Sequence, residues 1–178
     1  MTASDTSTWI LTFSAGAEPL DHAPEAPIHE VVDGPGTHLY VGDAEPAGPL
    51  RELAGAVYRA DLISDSGEAG RATSYLVVVG FPVPDDAIER FDDWYETEHA
   101  PLLLGAEDWL RVRRYRVREA TGPLTCLAVH DLASLDAMAS PERQEAARGP
   151  KRALMAAEAW YGRSGRWTCR RSPSPLST

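Results

Sequence analysis

Tyr75-Leu76-Val77-Val78-Val79, followed by Gly80 and by prolines at positions 82 and 84, is an apolar, β-branched run of strand length. Valine crowds the turns of a helix and fits a pleated surface, so the run predicts a strand buried on both faces. Immediately downstream, Asp85 or Asp86 can cap a helix whose first turns are acidic, as the positive end of a helix dipole favours. That helix is expected to stop near His99, because Pro101 disfavours helical geometry at Ala100. Residues 109–117 then alternate with arginine, and residues 124–132 supply an antiparallel partner across Thr121-Gly122-Pro123, which together predict a hairpin. Helix is expected again from Leu135, with Pro141 near the start of a turn, and over residues 151–161, before a last strand over 166–171. The order β-α-β-β-α-β is the ferredoxin-like arrangement, an α+β fold in which helices cover one face of an antiparallel sheet.

Upstream, Ser64-Asp-Ser-Gly-Glu-Ala-Gly70 reads as a linker or long loop. Before it, residues 9–13, 28–32 and 38–41 are strand candidates, Gly34-Pro35-Gly36 is a turn, and residues 15–27 are rich in Pro, Ala and Glu. Leu50, Leu53, Ala54, Val57, Tyr58 and Ile63 fall mostly at three- and four-residue spacing and predict an amphipathic helix over 50–63. The expected organisation is a degenerate ferredoxin-like half over residues 1–72, a complete half over 73–172, and a frayed tail over 173–178; residues 1–7 are also expected to fray. A sheet with one bare apolar face needs a second sheet over it. That sheet can come from a second copy, making a homodimer, or from the first half of the same chain.

The composition narrows the function classes. The chain has 178 residues, of which 43% are hydrophobic and 25% charged, the profile of a globular protein. A formal net charge of -10 opposes a phosphate backbone, so no nucleic-acid partner is expected. No apolar run approaches the roughly 20 residues of a membrane span, and the first residues lack the basic-then-apolar order of a signal peptide, which points to a cytoplasmic protein with no membrane partner. Cys126 and Cys169 each lie in a strand-like run and read as buried free thiols. His22 and His29 are close in sequence, but no Cys or carboxylate joins them at a ligand spacing, so no metal is expected. The glycine-rich turns lack a phosphate-binding pattern, and there is no Gly-x-Ser-x-Gly elbow.

Chemistry concentrates in Trp94-Tyr95-Glu96-Thr97-Glu98-His99-Ala100-Pro101. At about 100° per residue from Phe91, Tyr95 and Glu98 fall within about 40° and Trp94 at about 60°, which puts Glu98 on the apolar face. Tyr95 precedes His99 by four residues, so the two side chains can meet. A carboxyl withdrawn from water holds its proton, and an imidazole titrates near neutrality, so both suit acid–base work. The plainer alternative has Glu98 reaching an arginine and His99 capping helix carbonyls. On the following strand, simple alternation puts Trp109, Arg111, Arg113 and Tyr115 on one face, where Arg113 can hold an anionic or enolate substrate. Solubility at an edge, or pairing with the acidic helix, is the alternative. His130 shares a face with Cys126 and Ala128, opposite Leu127 and Val129, and is expected to face the barrel cavity while those two pack under the helices; a buried histidine satisfied by a neighbour is the plainer reading.

The pattern Phe91-x-x-Trp94-Tyr95-x-x-Glu98-His99-x-Pro101-Leu-Leu-Leu104, followed by Trp109-Leu110-Arg111-x-Arg113-Arg114-Tyr115, resembles the EthD-like branch of the dimeric α/β-barrel superfamily. The resemblance covers residues 75–171. It implies a dimeric α/β barrel whose pocket moves protons without metal or coenzyme, and His99 as the proton-transferring residue. Enzymes of this superfamily include polyketide cyclases, a methylisomerase, dehydratases and cofactor-independent monooxygenases, and some members have no established activity. The expected function is a cofactor-independent cyclase, dehydratase or isomerase acting on a small polyketide-like or aromatic carbonyl compound, with His99, Tyr95 and Glu98 catalytic and Trp94, Arg113 and His130 against the substrate. A cofactor-free monooxygenase and a non-catalytic small-molecule-binding protein are the alternatives.

Overall fold

The valine run forms β5 (Tyr75–Phe81) in a computed structural model that describes residues 7–23 and 26–171. It pairs antiparallel with β7 (Cys126–Leu132) on one side and β8 (Gly165–Arg170) on the other. β6 (Trp109–Ala120) completes the predicted hairpin with β7. The order β8-β5-β7-β6 is that of a ferredoxin-like sheet. The first half contributes β1 (Ser7–Phe13), β2 (Ile28–Asp33), β3 (His38–Gly42) and β4 (Ala54–Gly67), in the order β4-β1-β3-β2. Each set of four therefore runs fourth, first, third, second. Two antiparallel seams, β2 with β8 and β4 with β6, close the eight strands into one barrel. The bare sheet face is thus covered by the chain's own first half, and no second copy is needed to complete the barrel. Ser7, expected to fray, opens β1; the remaining frayed-end expectations, residues 1–6 and 173–178, lie outside the described residues.

Two sequence expectations are corrected. The helix predicted over 50–63 shrinks to α1 (Gly48–Leu53), and the chain then becomes β4, which also takes up most of the predicted linker. Ala56, Tyr58 and Ala60 point into the barrel while Val57 packs outside it, so period two prevails over the three- and four-residue spacing once β1 and β6 offer hydrogen-bonding edges. Register shifts against β6 near Arg59 and Leu62 bend this long strand around the barrel. The second correction concerns Pro101. After a helical turn over Asp85–Ala87, α2 (Ile88–Trp94) passes into a π-helical turn over Tyr95–His99 and then into α3 (Ala100–Leu104). Proline has no N–H and its ring collides with the carbonyl four residues back. The widened turn, in which the Ala100 N–H bonds the Tyr95 carbonyl, lets the helix continue through the proline instead of ending at His99. Neither Asp85 nor Asp86 makes a side-chain cap.

Strand alternation sorts the apolar residues into layers. Leu76 and Val78 of β5 enter the barrel with Tyr58, Tyr115, Val129 and Trp167. Val77 and Phe81 face the helices with Phe91, Trp94, Leu103 and Trp160. A third cluster around Trp9, Phe13 and Leu50 lies under α1 and the Pro-rich segment of the first half. The Gly34-Pro35-Gly36 turn is as predicted: Gly36 has φ 82°, and a Cβ there would lie 2.2 Å from the Phe13 carbonyl oxygen. α4 (Pro141–Ala146) begins at Ser140, whose hydroxyl accepts the Arg143 N–H, and α5 (Pro150–Ala156) follows. Both cysteines are buried and free, and no helix among the described residues is long and apolar enough to cross a membrane.

Candidate active site

Where the π turn crosses the sheet, a cavity of about 240 Å³ opens between the helix-facing side of β5 and β7 and the segments that carry α2 to α5. Trp94, Tyr95 and His99 line it from the helix, His130 from β7, and Trp109 from the start of β6. The cavity is therefore in the sheet–helix layer. This reverses the expected facing of β7: Leu127 and Val129 fill the barrel, while His130 points to the helices with Cys126 and Ala128.

His130 is 1% exposed and bonded at both ring nitrogens. The Trp109 indole N–H, which can only donate, reaches Nδ1 at 3.1 Å. Nδ1 must then be the acceptor, which places the hydrogen on Nε2 and makes His130 the donor to the Tyr95 hydroxyl oxygen at 3.0 Å. Burial holds His130 well below its usual pKa, with the nearby His99, Arg143 and Arg113 adding to the effect, so the ring stays neutral. The Tyr95 hydroxyl thereby keeps its own hydrogen uncommitted. Burial also raises the Tyr95 pKa well above its usual value, although the Arg114 guanidinium, 4.8 Å over the ring, opposes this.

His99 stacks on Trp94 with ring centroids 4.7 Å apart and meets Tyr95 edge-on at 4.9 Å. The expected Tyr95–His99 meeting is thus a ring contact, while the phenol hydroxyl serves His130. Burial pushes His99 down to about pKa 3, helped by the Arg143 and Arg152 charges and partly opposed by the Ala146 carbonyl. Its Nδ1 is buried without a hydrogen-bond partner. The imidazole is therefore neutral and holds one free nitrogen.

Glu98 lies outside the cavity wall. Its carboxylate accepts the backbone N–H groups of Lys151 at 3.1 Å and Arg152 at 2.9 Å, capping the start of α5. The phase of the helix had suggested an apolar setting, but the negative charge is satisfied by backbone donors, and Gly149 leaves room for it, since a Cβ there would lie 2.2 Å from Glu98 Oε1. Arg113 is also elsewhere. A register shift between Trp109 and Arg111 puts Trp109 on the helix side and Arg113 in the barrel, where it holds both oxygens of Asp131 at 3.2 Å. Arg114 and Arg116 instead take the helix side and pair with Asp92 and, for Arg114, with Glu96, so pairing with the acidic helix describes these two strand arginines.

Sequence reasoning missed Arg143, Arg152 and Arg166, which line the cavity beside Tyr161 and Ser164. Nothing local marks them, since each has the setting of an ordinary surface charge and only the fold of α4, α5 and β8 over the sheet gathers them. Among the described residues, no group of three His, Cys, Asp or Glu side chains is placed to hold a metal ion.

No protein-family model matches the chain, and no curated protein matches it in sequence. Solved structures do match. An anthrone oxidase-like protein superposes with TM-score 0.63 at 12% identity, over 100% of this chain and 99% of that one. A major regulator of staphylococcal pathogenesis gives 0.60 at 11% identity, over 94% and 99%. A ferredoxin-fold protein related to antibiotic biosynthesis monooxygenases, from Listeria monocytogenes, gives 0.55 at 12% identity, over 94% and 96%. At these identities the likeness is one of fold: the chain has the ferredoxin-like α/β-barrel architecture of these proteins.

Proposed function

We propose that the protein is a cofactor-independent acid–base enzyme that takes a proton from a carbon activated by the carbonyl of a small aromatic or polyketide-like compound, either next to it or conjugated with it through a ring. One observation carries this reading: a buried neutral imidazole with a free Nδ1 (His99) stands in the same cavity wall as a tyrosine whose hydroxyl hydrogen is uncommitted (Tyr95). The resemblance of the sequence around His99 to the EthD-like branch supports it. A neutral imidazole is the form that can accept a proton, and burial holds His99 in that form; the same burial, with the Arg143 and Arg152 charges, weakens it as a base, so the step requires a substrate that offsets those charges. The C–H proton passes to His99 Nδ1, the bonding electrons move to the carbonyl oxygen, and Tyr95 donates its hydrogen bond to the resulting enolate. Trp109 and His130 fix the direction of that hydrogen bond, and Trp94 supports the His99 ring. The enolate then closes a ring, expels water, or regains its proton at another carbon, giving a cyclase, dehydratase or isomerase.

A second reading shares the first step. Phe81, Trp94, Trp109 and Tyr161 make an aromatic wall in which a carbanion can meet molecular oxygen, forming a carbonyl and releasing water, and the anthrone oxidase-like neighbour has the same fold. The test follows hydrogen–deuterium exchange at the acidic carbon of an anthrone in deuterated buffer without oxygen. Wild type should speed exchange, and a folded His99→Gln variant should lose about 10²–10⁴-fold of that acceleration. Equal exchange by both proteins would refute the assignment of His99. Oxygen uptake on admitting air selects the second reading.

A further inference from the structure

The cavity wall contains three arginines and no carboxylate, in a chain whose net charge is -10. The barrel-facing and helix-facing arginines of β6 behave differently, since Arg111, Arg113, Arg114 and Arg116 are each matched to an aspartate or glutamate. Arg143 and Arg152 have no carboxylate within ion-pair distance among the described residues, and Arg166 has only the exposed Asp33, at 3.3 Å. A half-buried guanidinium without a counter-ion is costly, and three that converge repel one another. The strain is visible at Arg143, whose pKa is lowered first by burial and then by Arg166 and Arg152.

We propose that the ligand of this cavity carries a carboxylate, and that Arg143 and Arg152 bind it while its aromatic body lies against Phe81, Trp94 and Tyr161. The proposal rests on the reading of the cavity as the active site and adds the charge of its substrate. A guanidinium fork matches a carboxylate with two parallel hydrogen bonds, which fixes orientation as well as supplying attraction. Both arginines are held for the task. The backbone N–H of Arg143 is capped by Ser140, and that of Arg152 is held by Glu98, so each side chain starts from an anchored helix turn. Arg152 also lies over the Tyr161 ring at 5.5 Å, which aligns its fork with the aromatic wall. A volume of about 240 Å³ lies just below the usual range for small-molecule sites, roughly 300–1,000 Å³, and suits a compact aromatic ligand of two or three fused rings. A carboxylate here also has a consequence for His99. Neutralising Arg143 and Arg152 removes two of the charges that depress the imidazole, so the base strengthens when the substrate is in place.

The test is calorimetric titration with 1-naphthoate and with its neutral amide, 1-naphthamide. Wild type should bind the acid at least tenfold more tightly than the amide. Arg143→Gln and Arg152→Gln should each lose most of that preference with amide affinity unchanged, and Arg143→Lys should keep part of it. Equal wild-type affinity for acid and amide would overturn the proposal without any variant, as would a Gln variant that weakens both ligands alike, or inorganic phosphate displacing the naphthoate as well as a second carboxylate does. His99→Gln should still prefer the acid. If it does and anthrone exchange is independent of His99, the acid–base reading falls while the carboxylate site stands; exchange that depends on His99 without any preference for the acid has the opposite meaning.

Discussion

Replacing Tyr95 by Phe removes one oxygen atom and almost no volume from the sheet–helix layer, and the structure determines what that oxygen is worth. The Trp109 indole forces His130 Nδ1 to accept, so His130 Nε2–H must donate, and Tyr95 is its acceptor at 3.0 Å in a fully buried setting. In Tyr95→Phe that donor faces a benzene edge. Leaving a buried donor unsatisfied costs about 1–3 kcal/mol. With a urea m-value of about 2 kcal/mol/M, the unfolding midpoint should fall by about 0.5–1.5 M with no change in slope. In the same experiment, nitrogen-15 NMR of wild type should show the His130 hydrogen on Nε2, Nδ1 bare, and no titration between pH 5 and 8, since burial holds this imidazole far below its usual pKa. An unchanged midpoint in Tyr95→Phe, or a hydrogen on Nδ1, would refute the assigned direction of the bond, and with it the uncommitted Tyr95 hydrogen on which the enolate contact depends.

Acid should destabilise the fold well above the carboxylate range. His29 and His99 are depressed to about 4 and about 3, and His130 is also lowered, in each case first by burial. The unfolded chain binds protons at these groups below about pH 6.5 and the folded chain does not. Stability is therefore intact above that pH and is lost as the pH falls toward the native values, by about 1.4 kcal/mol per unit for each group. Urea midpoints should fall steeply from pH 6.5 to pH 5, and less steeply in His99→Gln; parallel curves for the two proteins would argue that His99 is not buried in its neutral form. Glu98→Ala should cost about 1 kcal/mol through the lost cap on α5, and Glu98→Gln only part of that, with anthrone exchange retained. Loss of exchange in a folded Glu98→Gln variant would restore Glu98 as the second acid.

The parts of the fold that were legible are those with a local cause. Val77 to Val79 could only be a strand, Gly34 and Gly36 only a turn, and the β6–β7 hairpin follows from its own alternation and turn. β4 was not legible, because Leu50, Leu53, Ala54, Val57 and Tyr58 satisfy a helical period just as well, and what decides is the presence of two strand edges far away in sequence. The same limit applies to the site. Tyr95 and His99 announce themselves on one helix, and Trp94 beside them lines the same cavity. The face of His130 could not be told from β7 alone, since period two gives two faces without saying which is roofed by helices. Arg113 was misplaced by one residue of bulge at the start of β6, which exchanges the two faces of everything after it.

The proline predicted to end the helix is what brings the site together. Trp94 and His99 are five residues apart, and a regular α-helix would separate them by about 140° around its axis. They stack at 4.7 Å because the π turn over Tyr95–His99 makes residues five apart neighbours. That turn is the accommodation required by a helix that must continue through Pro101 to place Leu103 under the sheet. A single backbone irregularity therefore lets the helix cross its proline, seats His99 between Trp94 and Tyr95, and leaves its Nδ1 unclaimed by the helix. Inside the barrel, Tyr58, Tyr115 and Trp167 pack with the apolar residues of both halves. Chemistry in this chain is thus expected where the helix is irregular, against the outer face of the sheet, with the closed barrel serving as its rigid support.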